Sequence, residues 1–333
     1  MRHKIYVTRA IPRPTIEALA AEHDVAVNPD DRALTPDELR RNVAGCSAIV
    51  SLLTDRIDAP LLDAAGPQCR IVANYAVGTN NFDVPRATER GVALTNTPGV
   101  LDDATATHTI ALMLAIARRI PEAERFLREG RWDGWKPIFF IGADVDRRVL
   151  GIAGAGRIGR NVARKARAFD MEIIYSDVAP NPEIEAESGA RFVTKDELLA
   201  RADFLTLHVP LLPDTHHYIS AGELARMKSS SILINASRGP VVDEKALVEA
   251  LRDRRIWGAA LDVFEDEPTL APGLVDLPNV VIVPHIASAT EETRLAMGDI
   301  VSRNVLAVLE GGEPDCCINP EALARRAARD AGS

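Results

Sequence analysis

This 333-residue chain has little cysteine, no excess of positive charge and no long apolar run. Its four cysteines, Cys46, Cys69, Cys316 and Cys317, form no C-x-x-C and have no metal-ligand spacing against histidine. That excludes a disulfide framework, suggests no metal, and points to a reduced, cytoplasmic compartment. Lysine and arginine number 39 against 48 aspartates and glutamates, a net charge of −9. Nucleic acid or an anionic membrane surface is therefore a poor candidate for the main partner. The longest obvious apolar run, Ile110 to Ala117, is far short of a membrane span, and MRHKIYVTRAIPRP contains no signal-type apolar region. No repeat of solenoid period is visible.

What is present is a strand–helix alternation. Strand-like runs at Lys4–Thr8, Asp24–Val27, Ala48–Ser51, Arg70–Tyr75 and Ala93–Thr95 are interleaved with helix-start signals at Pro36–Val43 and Pro60–Ala65. LDDATATHTIALMLAIARRIP then reads as one long helix. Asp102 and Asp103 lie at its positive end, Arg118 and Arg119 at its negative end, and Pro121 stops it. Apolar on almost every side, it is expected to be buried between domains. A second series begins at Arg148, with strands VLGIAG, EIIYSD, DFLTLH, SILIN, GAALD and VVIV. Helices at Gly159–Phe169, Asp196–Ala202 and Asp243–Arg252 separate them. Such unalternating strands belong in a parallel α/β sheet covered on both faces. Two domains are expected: residues 1–99 with 290–333, made discontinuous by a helix at Thr290–Leu309, and residues 100–289. The final dozen residues, ALARRAARDAGS, are polar and expected to fray.

GIAGAGRIGR places Gly154, Gly156 and Gly159 at G-x-G-x-x-G spacing, between a strand and a helix. A dinucleotide pyrophosphate needs a tight turn, a bare backbone approach and free helix N–H groups, which this context supplies. The next strand ends in Asp177, suited to the ribose hydroxyls. A carboxylate there repels a 2′-phosphate, and VAPNP brings no Arg or Lys, so NAD is favoured over NADP.

Ligands of doubly wound sheets sit beyond the strand carboxyl ends. Here Arg238 follows SILIN, Asp262 and Glu267 follow GAAL, and His285 follows VVIVP, where Pro284 ends the ladder. A guanidinium can bind the carboxylate and carbonyl of a 2-oxo acid in one plane. A histidine, with an ordinary value of about 6.5, can supply the proton that reduction requires, and a carboxylate can hold its ring. Bland alternatives for the three are a capping salt bridge, a turn acid and a packed strand-end histidine.

The motifs NYAVGTNNFDV, NTPGVLDDATA, GIAGAGRIG, SILINASRGPVVDEKAL, GAALDVFEDEP and VPHIASAT resemble, in order, those of the D-isomer-specific 2-hydroxyacid dehydrogenases. The resemblance runs from about Ser51 to Glu310. It implies two Rossmann/flavodoxin-like doubly wound domains with the active site in the cleft between them. It also implies Arg238 as substrate binder, His285 as acid/base, Glu267 as its partner, and the Val77 and Gly78 amides on the substrate carboxylate. Asp262 and Thr105 would contact the nicotinamide. The implied cofactor surface is completed by Gly154, Ala155, Gly156, Arg157, Ile158, Gly159, Asp177, His208, Val209, Pro210, Ala236, Ser237, Arg238, His285 and Ala287. SLLTDRID and REGRWDGWKP look most like the glyoxylate/hydroxypyruvate reductases. In these a tryptophan, which would be Trp135, reaches into the partner subunit's site of a homodimer, although Trp132 and Trp135 could equally serve ordinary dimer packing. Two departures stand out: Ala155 where leucine is common, and His108 where an apolar residue is common and a packing variation is expected. His216 and His217 read as solvated loop histidines.

The expected function is NADH-dependent reduction of a small 2-oxo acid. A formate- or phosphite-type dehydrogenase is the chemical alternative, although Ala76-Val77-Gly78 lacks the lysine that phosphite users carry. An NAD-sensing transcriptional co-repressor on the same scaffold is the third reading.

Overall fold

The computed structural model describes residues 2–331. The chain divides into two compact units, Met1–Leu101 with Ala289–Ser333, and Asp102–Ser288. Among the described residues no helix is long and apolar enough to cross a membrane.

The first unit is built on β1 (Lys4–Val7), β2 (Asp24–Val27), β3 (Ala48–Ser51), β4 (Ile71–Asn74) and β5 (Ala93–Thr95). All pair in parallel in the order β2-β1-β3-β4-β5. One face of the sheet presents Tyr6, Ile49, Val72 and Leu94 to Leu39, Val43, Leu61, Leu62 and Ala87 of three helices. Those helices begin where polar side chains take free N–H groups. Thr35 and Glu38 form a capping box, and Asp58 and Asp83 cap the other two. A nineteen-residue helix, Glu291–Leu309, returns the chain to this unit. The tail departs from the sequence reading, because Glu321–Ala331 is a helix. Its polarity hides two anchors: Ala322 is fully buried, and Arg326 donates to the carbonyls of Pro67 and Cys69. The last two residues lie outside the described ones.

The second unit contains β6 (Val149–Ala153), β7 (Glu172–Ser176), β8 (Arg191–Phe192), β9 (Phe204–Leu207), β10 (Ile232–Asn235), β11 (Gly258–Leu261) and β12 (Val280–Ile282). The order is β12-β11-β10-β9-β6-β7-β8, again all parallel. The two-residue β8 gave no sequence signal. Burial on both faces follows the twofold period of the strand. Leu233 and Leu261 join the cluster under Leu198, Leu224 and Leu247, whereas Ile232, Ile234 and Ala260 join the one under Met113, Ile116 and Val162.

The long helix is corrected in two ways. It ends at Ala117, and a second helix, Ile120–Arg128, starts after Arg119 at φ 52°. Pro121 opens that second helix as well as closing the first, since a missing N–H costs nothing in a first turn. Its burial is also one-sided. Asp102, Thr105, Ala106, Thr109, Leu112, Met113, Ile116 and Ala117 form a single stripe at helical spacing, while Ala111 is exposed.

Candidate active site

The glycine loop leaves β6 where the strand order reverses, between β6 and β9. Gly154 sits at φ 92°, and a Cβ on it would lie 2.7–2.8 Å from the His208 and Val209 backbone. Only glycine allows both that conformation and that approach. A Cβ on Gly156 would meet nothing within 4 Å, so its bare side faces open space, as a phosphate cradle requires. The helix Arg157–Ala166 starts there without any side-chain cap. Asp177 Oδ2 accepts the Ala155 N–H at 2.7 Å and Oδ1 accepts that of Val178 at 2.7 Å. These residues fit a dinucleotide. Burial pushes the His208 imidazole down to about 3, leaving it neutral beside Thr206 Oγ1 at 3.0 Å.

Arg238, Glu267 and His285 follow the carboxyl ends of the adjacent strands β10, β11 and β12. After β10, Asn235 Oδ1 accepts from the Ser237 N–H and hydroxyl, and its Nδ2 donates to the Arg238 carbonyl. Gly239 lets this turn press on the next one, because a Cβ there would lie 1.7 Å from the Phe264 oxygen. Sequence reasoning missed both Asn235 and Gly239, although their positions inside ILINASRG are the available signal.

Glu267 Oε2 lies 3.0 Å from His285 Nδ1, and Oε1 accepts the Phe264 N–H at 3.0 Å. Burial alone would raise the Glu267 carboxyl. The hydrogen bond and charge of His285, the Phe264 N–H and Arg238 outweigh it and hold the group below the usual range. An ionised Glu267 can only accept, so the ring tautomer that fits this contact has its N–H on Nδ1 and leaves Nε2 outside the pair. Burial lowers the Arg238 guanidinium and the Glu267 charge acts against this. An arginine remains protonated throughout.

His285 itself has φ 53°, which is costly for a residue with a Cβ. Its N–H reaches the Asp262 carbonyl at 2.9 Å, one step past the donor that Pro284 lacks. Asp262 is fully buried, with Oδ1 on the Ile286 N–H at 2.7 Å and Oδ2 on the Ala287 N–H at 3.0 Å. With no accessible surface, the Asp262 carboxylate grips the His285 turn.

Residues 110–287 match the family description "D-isomer specific 2-hydroxyacid dehydrogenase, NAD binding domain". The glyoxylate reductase of Thermococcus litoralis is 45% identical over 327 residues, 97% of this chain and 98% of the relative. The chain belongs to the D-isomer-specific 2-hydroxyacid dehydrogenases. The glyoxylate reductase of Thermococcus kodakarensis is 46% identical over the same shares. Among solved structures, a Thermus thermophilus protein superposes with a TM-score of 0.89 at 40% identity, covering 95% of this chain and 99% of that one. A Sinorhizobium meliloti NADPH-dependent glyoxylate/hydroxypyruvate reductase gives 0.84 at 35%, covering 97% and 98%. The protein is thus an oxidoreductase whose second unit is a nicotinamide-dinucleotide domain.

Other residues singled out in this dehydrogenase fall as follows. Ala236, Ser237 and Ala287 lie at the ends of β10 and β12, and Val209 and Pro210 follow β9. Thr105 is buried on the helix Asp102–Ala117. Arg157 Nε pairs with Asp102 Oδ2 at 3.0 Å, and burial raises the Asp102 carboxyl against that pull. In the first unit, Asn96 and Asn74 hold the Val77 and Gly78 carbonyls, and among the described residues neither N–H of that pair has a partner. Trp135 is 82% exposed. His108 places Nε2 3.4 Å from Asp262 Oδ1, so it faces an acid instead of merely filling space. His217 is not simply solvated either, since its Nε2 lies 2.6 Å from Glu265.

Proposed function

We propose that this dehydrogenase reduces glyoxylate, hydroxypyruvate or a similar small 2-oxo acid to the D-2-hydroxy acid with NADH. The observation that carries the reading is the Glu267–His285 pair beside Arg238, at the ends of three adjacent strands. Arg238 binds the substrate carboxylate and carbonyl oxygen, polarising the carbonyl. Protonated His285 delivers its Nε2 proton to that oxygen, and ionised Glu267 stabilises the ring while it is charged. The Val77 and Gly78 N–H groups are the proposed second hold on the carboxylate. A bound nicotinamide supplies the hydride.

NADH over NADPH is supported by Asp177, whose carboxylate stands at the glycine loop, and by the absence of Lys and Arg from Val178–Pro182. That the two Thermococcus relatives are glyoxylate reductases supports glyoxylate as substrate. A homodimer is supported by the exposed Ile120, Leu127, Trp132, Trp135, Ile138 and Ile141, all within one stretch. Within it Trp135 would reach the partner's site. Free thiols at all four cysteines agree with a cytoplasmic setting.

The test is a steady-state screen of 2-oxo acids with NADH and NADPH, on the parent and His285→Ala. The variant is expected to lose about a hundredfold or more in kcat at nearly unchanged NADH affinity, as for loss of a general acid. Parental turnover in His285→Ala would refute the assignment. Failure of the parent to reduce any 2-oxo acid would refute the substrate class.

A further inference from the structure

The segment after β9 carries two adjacent histidines that the proposed reaction does not use. A short turn at Pro213–Thr215 leads into them, and their backbone is tied on both sides. The His216 N–H donates to Leu212, the His217 N–H to Pro240 at 2.8 Å, and the Ile219 N–H to Val241. In an extended chain neighbouring side chains point to opposite sides. Here His217 has φ 52°, and the two imidazole centroids lie 4.0 Å apart with planes inclined at 31°. The third member is Glu265, whose Oε1 lies 2.6 Å from His217 Nε2. Its Oε2 accepts the Glu244 N–H at 3.2 Å, and its own N–H donates to Glu244 Oε2 at 2.8 Å. One ligand atom from each of His216, His217 and Glu265 lies within 4.8 Å of the other two.

We propose that His216, His217 and Glu265 bind a divalent transition-metal ion of the zinc, cobalt or nickel class. Two imidazoles and one carboxylate are the donors such ions prefer, and the set is too poor in oxygen for calcium or magnesium. Metal–ligand bonds of about 2.0–2.1 Å put tetrahedral donor atoms roughly 3.3 Å apart. The 2.6 Å pair therefore has to open by less than an ångström, and the remaining separations have to close from at most 4.8 Å. His216 is exposed, so its ring is free to make that adjustment and an ion has a route in. The Glu244 N–H orients the carboxylate from behind, as outer partners of metal ligands do. Water fills the remaining positions. Glu265 stands two residues before Glu267, and the intervening segment is fixed by the Phe264 N–H on Glu267. A bound ion thus ties the histidine loop to the segment that holds Glu267 against His285.

The experiment uses the full chain, freed of metal with a chelator and dialysed. Cobalt is titrated while visible absorption is followed, and zinc binding is measured by calorimetry. The expected result is one saturable ion per chain in the micromolar range, with d–d bands and no thiolate charge-transfer band. Both His216→Ala and Glu265→Gln should weaken binding at least tenfold. Zinc should raise the melting temperature of the parent and leave that of His216→Ala in place. Absence of saturable binding in the parent would overturn the proposal, as would parental affinity in both variants. A thiolate band, or loss of binding in His285→Ala, would move the ion to the cysteines or to the Glu267–His285 pair, which also overturns it.

Discussion

Replacing Asp262 with alanine separates two roles for this carboxylate: holding the His285 turn, or touching the cofactor. Its oxygens accept from the Ile286 and Ala287 N–H groups at 2.7 and 3.0 Å, with no exposure to solvent. Hydrogen bonds to a charged group contribute roughly 1.5–3 kcal/mol each; the Ala287 N–H would be left buried, whereas Ile286 is exposed and its N–H can turn to water, which keeps the total near the low end. The expected loss of stability is about 3–4 kcal/mol, a large share of the roughly 5–15 kcal/mol that holds a domain together. A second effect falls on turnover. His285 is kept at φ 53° by this turn, and that conformation costs on the order of 1 kcal/mol. Once the turn relaxes, the imidazole is displaced, and a displacement of about 1 Å is sufficient to cost roughly a hundredfold in kcat. The assays are urea unfolding and steady-state reduction of glyoxylate at varied NADH. Asp262→Asn, which keeps one acceptor, should fall between parent and alanine variant in both. Parental stability with parental kcat would refute the holding role. A raised KM for NADH at parental kcat would return Asp262 to the nicotinamide.

Gly154→Ala should destabilise the second unit by about 2–4 kcal/mol and abolish tight NADH binding. The added methyl meets backbone at 2.7–2.8 Å and φ is 92°, and NADH fluorescence with thermal melting reads both effects. Glu223 is buried enough for its carboxyl to be raised, but Ser220 and Lys195 pull it down to about 2. A lowered folded value means that its contribution is complete above the unfolded value of about 4.3 and is lost as pH falls towards 2. Discounted for solvent screening, Glu223→Gln should cost on the order of 1 kcal/mol at pH 7, a difference that shrinks below pH 4 in urea titrations. Asp177→Ala should narrow the preference for NADH over NADPH, measured as the ratio of kcat/KM values, while unchanged discrimination would place the choice elsewhere.

Strand positions were legible because buried parallel strands are short apolar runs, and those of both sheets appear as such in the chain except the two-residue edge strand β8. The glycine loop and the residues at strand ends were legible for a related reason. In this topology the sequence position directly after a strand is also a position at the ligand-binding edge. Helices with weak apolar faces, such as Pro182–Ser188 and Ile120–Arg128, escaped notice, as did the anchored tail helix. Single residues such as Ala322 and Arg326 secure that tail, and periodicity does not register single residues.

By itself, then, the sequence determined the order of strands and helices and the chemical types brought to the active edge: guanidinium, carboxylate and imidazole. The tertiary structure alone decided what those groups meet. It paired Glu267 with Nδ1 of His285, leaving Nε2 outside that contact, and it set the Asp262 carboxylate on the N–H groups of the turn that follows this histidine. It also brought Glu265 to His217 across 48 residues of chain. The reason is physical. Apolar periodicity is a local property read along one element, whereas a hydrogen bond between the ends of different strands depends on their order and register, which no local pattern encodes.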